Sequence, residues 1–308
     1  MRTGALVFTL LALLAGTVRA PAWALDVRHA LGTTTLAQVP ERIVVLELTY
    51  AETLAALGVA PAGVADLGGY RQWVGVGADR LSGAVDVGTR QEPNLEVIAS
   101  LEPDLIIGPS FRHAAIYERL SDIAPTVLFE AYPADSGGQF ADMITNFREI
   151  ARMVGREEKG GDVLRAMEDD LARGRETLAS AGLTGAPVIL AQFLPGSPRP
   201  RIFTDGSLAA GTLERLGLDN AWPGPAERFG FTTAGIEALA GIEGAHLLHI
   251  VQPGDEGFRR LSANPVWSKL DFAANGRVHA LPPDTWIFGG PLSVGAMAGR
   301  VVRAMTAE

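Results

Sequence analysis

Apolar residues fall along this chain in two alternating textures. Short runs such as Ile43-Val44-Val45-Leu46 are continuous and bounded by turn residues, as in a strand buried on both faces. Between them lie segments whose apolar positions recur at three- and four-residue spacing. Ile43–Leu46 leads into Thr49-Tyr50-Ala51-Glu52, whose capping-box spacing predicts a helix ending at Gly58. The next predicted strands are 59–65, 84–87, 104–108 and 126–129, with short helices starting at Asn94 and spanning 114–121 between them. Strands alternating with helices predict a parallel, layered α/β unit.

From Gln139 to Val154 the texture changes. Phe140, Met143, Ile144, Phe147, Ile150, Ala151 and Val154 share one helical face, predicting an amphipathic helix roughly 24 Å long that stops at Gly155. A second helical pattern runs from Asp162 to about Ala181, with Val163, Leu164, Met167, Leu171 and Leu178 apolar. The α/β pattern then resumes: strands over 187–193, 201–204, 245–251 and 278–281, helices over 207–216 and 293–306. The predicted fold class is α/β, with two α/β lobes of mainly parallel sheets joined by a long backbone helix. The lobes are placed at 25–138 and 157–308, with the connecting helix over 139–156. No internal repeat or flexible Gly/Ser linker separates them, so the lobes are expected to be held firmly.

The first residues alter the picture by assigning a compartment. Arg2 precedes an apolar stretch over 5–16, too short to span a bilayer, and Ala22-Trp23-Ala24 supplies a small-x-small cleavage site. A signal peptide over 1–24 is expected, with the mature protein starting at Leu25 in the periplasm. The sequence contains no cysteine, so no lipid anchor or disulfide is available. Net charge is −9, from 26 basic and 35 acidic residues; removing Arg2 and Arg19 with the leader leaves 24 against 35, or −11. Without a visible basic patch, nucleic acid is not an expected partner.

Ligands of open parallel sheets bind beyond the carboxyl ends of the strands. The residues following each predicted strand are therefore the candidates: Asp66 to Trp73, Gly88-Thr89-Arg90, Ser110-Phe111-Arg112, Phe193-Leu194, Gln252 and Trp286 to Gly290. Trp222 lies in a Pro/Gly-rich loop. Each indole either plugs its own lobe or joins the others in an aromatic pocket between the lobes. The five histidines are scattered, and His246 and His249 on one strand would face opposite ways, so no metal site is expected.

At these residues the chain resembles the ferric-hydroxamate-binding proteins of the helical-backbone class of periplasmic binding proteins. The similarity covers nearly the whole mature chain. It is densest in RIVVLELTYAETLAALGVAPAGVADLGGYRQWV, in VDVGTRQEPNLEVIASLEPDLII, in NAWPG and in Trp286-Ile287-Phe288-Gly289. The resemblance implies that Arg90 bonds the iron-bound hydroxamate oxygens and that Trp73, Trp222 and Trp286 line the pocket. Phe288 stands where the family has a tyrosine. Another tyrosine expected after the 104–108 strand is replaced by Phe111 and Arg112. Arg112 either adds a second positive group, favouring a more anionic ligand, or faces solvent; Phe193 completes the expected binding residues.

The family further implies a monomer without a cofactor of its own, binding a ferric siderophore that itself holds the iron. The partner would be an inner-membrane ABC permease with its ATPase. Glu118 and Glu237 match the docking glutamates of the two lobes, although a solvated helix face would look the same. Since Arg90 alone is firmly placed, a near-neutral hydroxamate or a mixed carboxylate chelate is expected over a triply anionic catecholate. Haem, cobalamin or a ferric catecholate would be alternatives within the class. An exported enzyme is disfavoured: there is no Gly-x-Ser-x-Gly elbow or phosphate loop, and Gly75-Val76-Gly77 lacks the third glycine of a dinucleotide fingerprint.

Overall fold

A computed structural model of the chain describes residues 24–132, 137–197, 199–252 and 254–307. The expected leader, apart from Ala24, lies outside the described residues. The chain begins with an antiparallel hairpin, β1 (Leu25–His29) and β2 (Gly32–Leu36), that the sequence reading did not separate out. It buries Val27 and Leu36 and attaches to the end of the first sheet through Ala30 N–H to the Leu128 carbonyl.

The first sheet contains β3 (Ile43–Val45), β4 (Gly63–Val64), β5 (Val85–Asp86), β6 (Leu105–Pro109) and β7 (Thr126–Phe129). All its pairs are parallel, in the order β5-β4-β3-β6-β7. The chain moves outward from β3 in one direction and returns on the other side through β6. The gap between β3 and β6 is thus a topological switch point, where a crevice opens at the carboxyl ends.

The second sheet contains β8 (Pro187–Phe193), β9 (Arg201–Phe203), β10 (Asp219–Asn220), β11 (Phe231–Thr233), β12 (His246–Val251) and β13 (Val278–Leu281). Its order is β11-β9-β8-β12-β13, with β10 also pairing β8. β8, β10, β12 and β13 run parallel, whereas β9 and β11 add antiparallel pairs at one edge.

Helices cover and link the sheets: α1 (Leu48–Leu57), α2 (Leu95–Ser100), α3 (Tyr117–Ser121), α4 (Gln139–Met153), α5 (Glu157–Ser180), α6 (Leu208–Arg215) and α7 (Pro291–Thr306). One continuous hydrophobic core runs from Ile43 and Val45 of the first sheet to Val188 and Leu190 of the second. Phe147 and Ile150 of α4, Leu164 and Leu171 of α5 and Val294 and Val301 of α7 connect them. Buried apolar area is the main favourable term in folding, so a core common to both lobes resists their separation. This is a two-lobed α/β architecture with mainly parallel sheets.

Two local expectations are corrected. The longest described helix is α5, and it starts at Glu157, five residues ahead of the predicted Asp162. Gly160-Gly161 reads as a breaker in sequence. Here Gly160 permits close packing, since a Cβ on it would lie 2.9 Å from Ala151 Cβ of α4. Nor do Thr49 and Glu52 form a capping box. Glu47 is the N-cap, with its side chain accepting from Leu48 N–H, while Thr49 lies inside α1 and donates to the Phe288 carbonyl at 2.6 Å.

Candidate functional site

The strand ends of the two sheets face one cavity of about 460 Å³, within the usual range of roughly 300–1,000 Å³ for small-molecule sites. The first lobe contributes Glu47, which follows β3, and Phe111 and Arg112, which follow β6. These three residues flank the switch point. Arg90 arrives from the loop after β5. Trp73 comes from a stretch predicted as loop that forms a helical turn, Leu67–Gly69, continuing into a π-helical turn, Tyr70–Val74. Such π turns recur at functional sites.

The second lobe contributes Gln192 and Leu194 around the end of β8, Arg201 of β9, Gln252 after β12, and Trp286 and Phe288 after β13. Side chains alternate along a strand. Gln192 and Leu194 therefore face the cavity while Phe193 points the other way, packing edge-on against Phe258 at 5.2 Å and His249 at 6.5 Å. The expectation for Phe193 is corrected on this ground. Trp222 is corrected too: it packs against the same second-lobe core cluster, which includes Ile189, Ile202 and Trp267, and does not line the cavity.

Trp73 and Trp286 meet across the lobes nearly parallel, with ring centroids 6.4 Å apart and planes at 12°. Phe288 stands edge-on to Trp286 at 5.4 Å and rests on Phe203 and Phe231 of the second sheet. Across the cavity, Phe111 and Tyr132 of the first lobe pack against Phe229 of the second, at 6.1 Å and 5.3 Å. Tyr132 follows β7 and supplies an aromatic hydroxyl that the sequence reading expected one strand earlier. Burial, reinforced by the nearby Glu47 charge, pushes its pKa up to about 12, so the phenol is neutral.

The charged residues are tied together. Arg90 donates from Nη1 to Glu47 Oε1 at 3.0 Å and from Nε to Asp66 Oδ2 at 3.0 Å. Arg112 donates from Nε to Glu47 Oε2 at 3.0 Å, which places it on the cavity wall rather than in solvent. Arg90's carbonyl is held by buried His113 Nε2 at 2.9 Å, and its guanidinium lies 5.5 Å from the Trp73 ring centroid. Arg201 lies over Phe231 at 4.5 Å, and desolvation lowers its pKa from the usual arginine value. Only Arg90 is firmly placed by the sequence, whereas the structure gathers three arginines, Arg90, Arg112 and Arg201.

Glu47, Tyr132 and Arg201 were missed. Glu47 carried a usable signal, since a charged residue between a buried strand and its helix at a switch point is rarely idle; Tyr132 carried none. Glu118 in α3 and Glu237 in the turn Ile236–Leu239 are both exposed, away from the cavity. His246 bonds His279 at 3.0 Å, and His249 stacks on Phe258, so the two strand histidines do face opposite sides. Among the described residues no group of three or more His, Asp or Glu side chains could hold a metal ion, and no helix is long and apolar enough to cross a membrane.

Residues 43–285 match the model of a family described as periplasmic binding protein. The Fe(3+) dicitrate-binding periplasmic protein FecB of Escherichia coli is 31% identical over 268 residues, covering 86% of this chain and 84% of that protein. The iron(3+)-hydroxamate-binding protein FhuD of Escherichia coli is 29% identical over 272 residues, covering 88% and 87%. The crystal structure of FhuD from Vibrio cholerae with Fe3+-Desferal superposes with a TM-score of 0.79 at 29% identity, covering 87% of this chain and 98% of that one.

Proposed function

The chain belongs to the periplasmic binding protein family, and on that footing we propose that it captures a ferric siderophore between its lobes in the periplasm and delivers it to an inner-membrane ABC permease. It is a binding protein, not an enzyme, as its relatives are. The observation that carries the reading is the inter-lobe cavity in which the Arg90–Glu47–Arg112 cluster faces the paired indoles of Trp73 and Trp286.

A ferric siderophore presents two chemistries at once. Its metal-bound oxygens are electron-rich, and its periphery is largely carbon. Charge-assisted hydrogen bonds from arginine suit the first, at about 1.5–3 kcal/mol each, and flat aromatic faces suit the second. The iron is cargo, held by the siderophore.

A hydroxamate-type siderophore is favoured by charge. The arginines on the cavity wall, Arg90, Arg112 and Arg201, stand against Glu47 and Asp142 on the same wall and Asp66 behind Arg90, three charges of each sign. A ferric trihydroxamate, itself near neutral, suits that balance. An anionic ferric carboxylate is the second reading. It is favoured by Arg112, whose Nη groups carry no hydrogen bond among the described residues, and by the similarity to a dicitrate binder. Glu118 and Glu237 are proposed to meet the permease, one from each lobe; exposed rim charges of this kind set register and on-rate.

Titration of the purified protein with ferric trihydroxamate, ferric citrate, ferric catecholate and haem, followed by tryptophan fluorescence, tests the proposal. Saturable quenching by a ferric siderophore is expected, because Trp73 and Trp286 line the cavity. No response to any ferric chelate, or a response to haem alone, would overturn it.

A further inference from the structure

Glu47 stands between two cations at the mouth of the switch point. Its backbone is extended (φ −148°, ψ 145°), capping α1, and the residue is 9% exposed. Both carboxylate oxygens are engaged, Oε1 by Arg90 and the Leu48 N–H and Oε2 by Arg112.

Three features set it apart from an ion pair that merely braces the fold. The arginines it bridges come from different strand ends, after β5 and after β6, and both line the cavity with it. Arg90 has a second carboxylate partner, Asp66, so Glu47 is not needed to anchor that guanidinium. Glu47 also takes the Nε edge of Arg112 and leaves its Nη groups without a bond among the described residues. It therefore cancels charge without occupying the donors that a ligand would meet.

Three arginines against Glu47, Asp142 and Asp66 sum to zero; without Glu47 the same set carries one net positive charge. Inside a partly dehydrated cavity that difference is felt more strongly than in bulk water. We propose that Glu47 is a specificity-determining residue, a built-in counter-ion that tilts the cavity toward ferric chelates of little net charge and against polyanionic ones. This rests on the reading that the cavity holds a ferric siderophore.

The test compares wild-type protein with Glu47→Gln at fixed ionic strength. The probes are ferrioxamine E, a neutral ferric trihydroxamate, and ferric citrate, an anionic chelate. Glutamine keeps an acceptor and removes the charge. The ratio of the two Kd values is expected to move about tenfold toward ferric citrate, with the trihydroxamate changing less than about threefold. Equal movement of both, or weaker citrate binding, would overturn the assignment.

Should the single variant not fold, the same substitution on an Arg112→Gln background carries the test, because no second arginine is then left facing an uncharged partner. There Arg112→Gln alone is expected to weaken ferric citrate about tenfold, and adding Glu47→Gln to restore the ratio to within about threefold of wild type. Failure of that restoration would overturn the assignment. If wild-type protein binds no ferric chelate, the reading of the cavity falls and this inference with it. If wild type binds but the ratio stays fixed, the role of Glu47 alone falls.

Discussion

Glu52 of α1 holds the start of α7: its Oε1 accepts the Ser293 backbone N–H at 2.8 Å and its Oε2 accepts the Ser293 hydroxyl at 2.6 Å. Oε2 also accepts from Gly290 N–H at 2.9 Å, and the carboxylate is fully buried. α1 belongs to the first sheet's lobe and α7 follows the last strand of the second, so one side chain pins the two together. The helix N-terminus it caps favours negative charge. Between Thr49, which binds the Phe288 carbonyl, and Glu52, which binds Gly290, the segment carrying Trp286 and Phe288 is fastened to the opposite lobe. The aromatic wall of the cavity is thus preformed.

Glu52→Ala would leave three buried donors without partners, each costing about 1–3 kcal/mol, partly relieved by water. A loss of about 2–4 kcal/mol of unfolding free energy is expected by chemical denaturation. A loss below about 0.5 kcal/mol would mean that the pin contributes little to holding the lobes together.

The same pin, with the shared core, predicts modest closure. Small-angle scattering with and without saturating ligand is expected to give radii of gyration within about 1 Å of each other. A larger contraction would point to a hinge.

His249 gives stability a definite pH dependence. Burial, with a smaller contribution from His279, lowers its pKa to about 4 from 6.5. The imidazole is neutral in the fold, whereas the unfolded chain takes up a proton below 6.5. The stabilisation is therefore full above about pH 6.5 and is lost as pH falls toward about 4, on the order of 3 kcal/mol. His249→Leu is expected to flatten that part of the pH–stability curve relative to wild type. An unchanged slope would contradict the assignment.

Phe229 is 43% exposed, yet it packs on Phe111 and Tyr132 of the other lobe beside the Arg228–Glu130 ion pair. A large aromatic at that place closes one side of the cavity. Phe229→Ala is expected to speed ligand dissociation about tenfold with little change in association, since most affinity changes within one site appear in the off-rate. Stopped-flow fluorescence separates the two rates. An effect on association alone would contradict a closing role.

Replacing Glu118 and Glu237 with alanine is expected to reduce iron uptake by cells carrying the protein several-fold while leaving ligand Kd unchanged. Unimpaired uptake would place the permease contact elsewhere.

Much of this was legible in the residues. The spans of β7, β8 and β13 match the strands predicted over 126–129, 187–193 and 278–281, and Asn94 caps its helix as its side chain predicts, accepting from Glu96 and Val97 N–H. The rule that ligands sit past strand ends found Arg90, Trp73, Phe111, Arg112, Trp286 and Phe288, all on the cavity wall. What failed had physical causes. The β1–β2 hairpin buries little more than Val27 and Leu36, so its apolar signal is faint. Phe193 was one residue out of phase with the cavity, a period-two error that only strand register resolves. Gly160 reads as a break because the neighbour that requires it, Ala151, lies on another helix. The Glu47 bridge joins residues 43 and 65 positions apart, a distance no local pattern spans.

The cavity between the lobes is proposed to hold a ferric siderophore against Arg90 and Arg112, with Trp73 and Trp286 around it. Crystals grown with ferric trihydroxamate and measured at the iron absorption edge test it most directly. One anomalous peak is expected inside that cavity, surrounded by these four side chains and not directly ligated by any of them. A peak elsewhere on the protein, or none at saturating ligand, would contradict it.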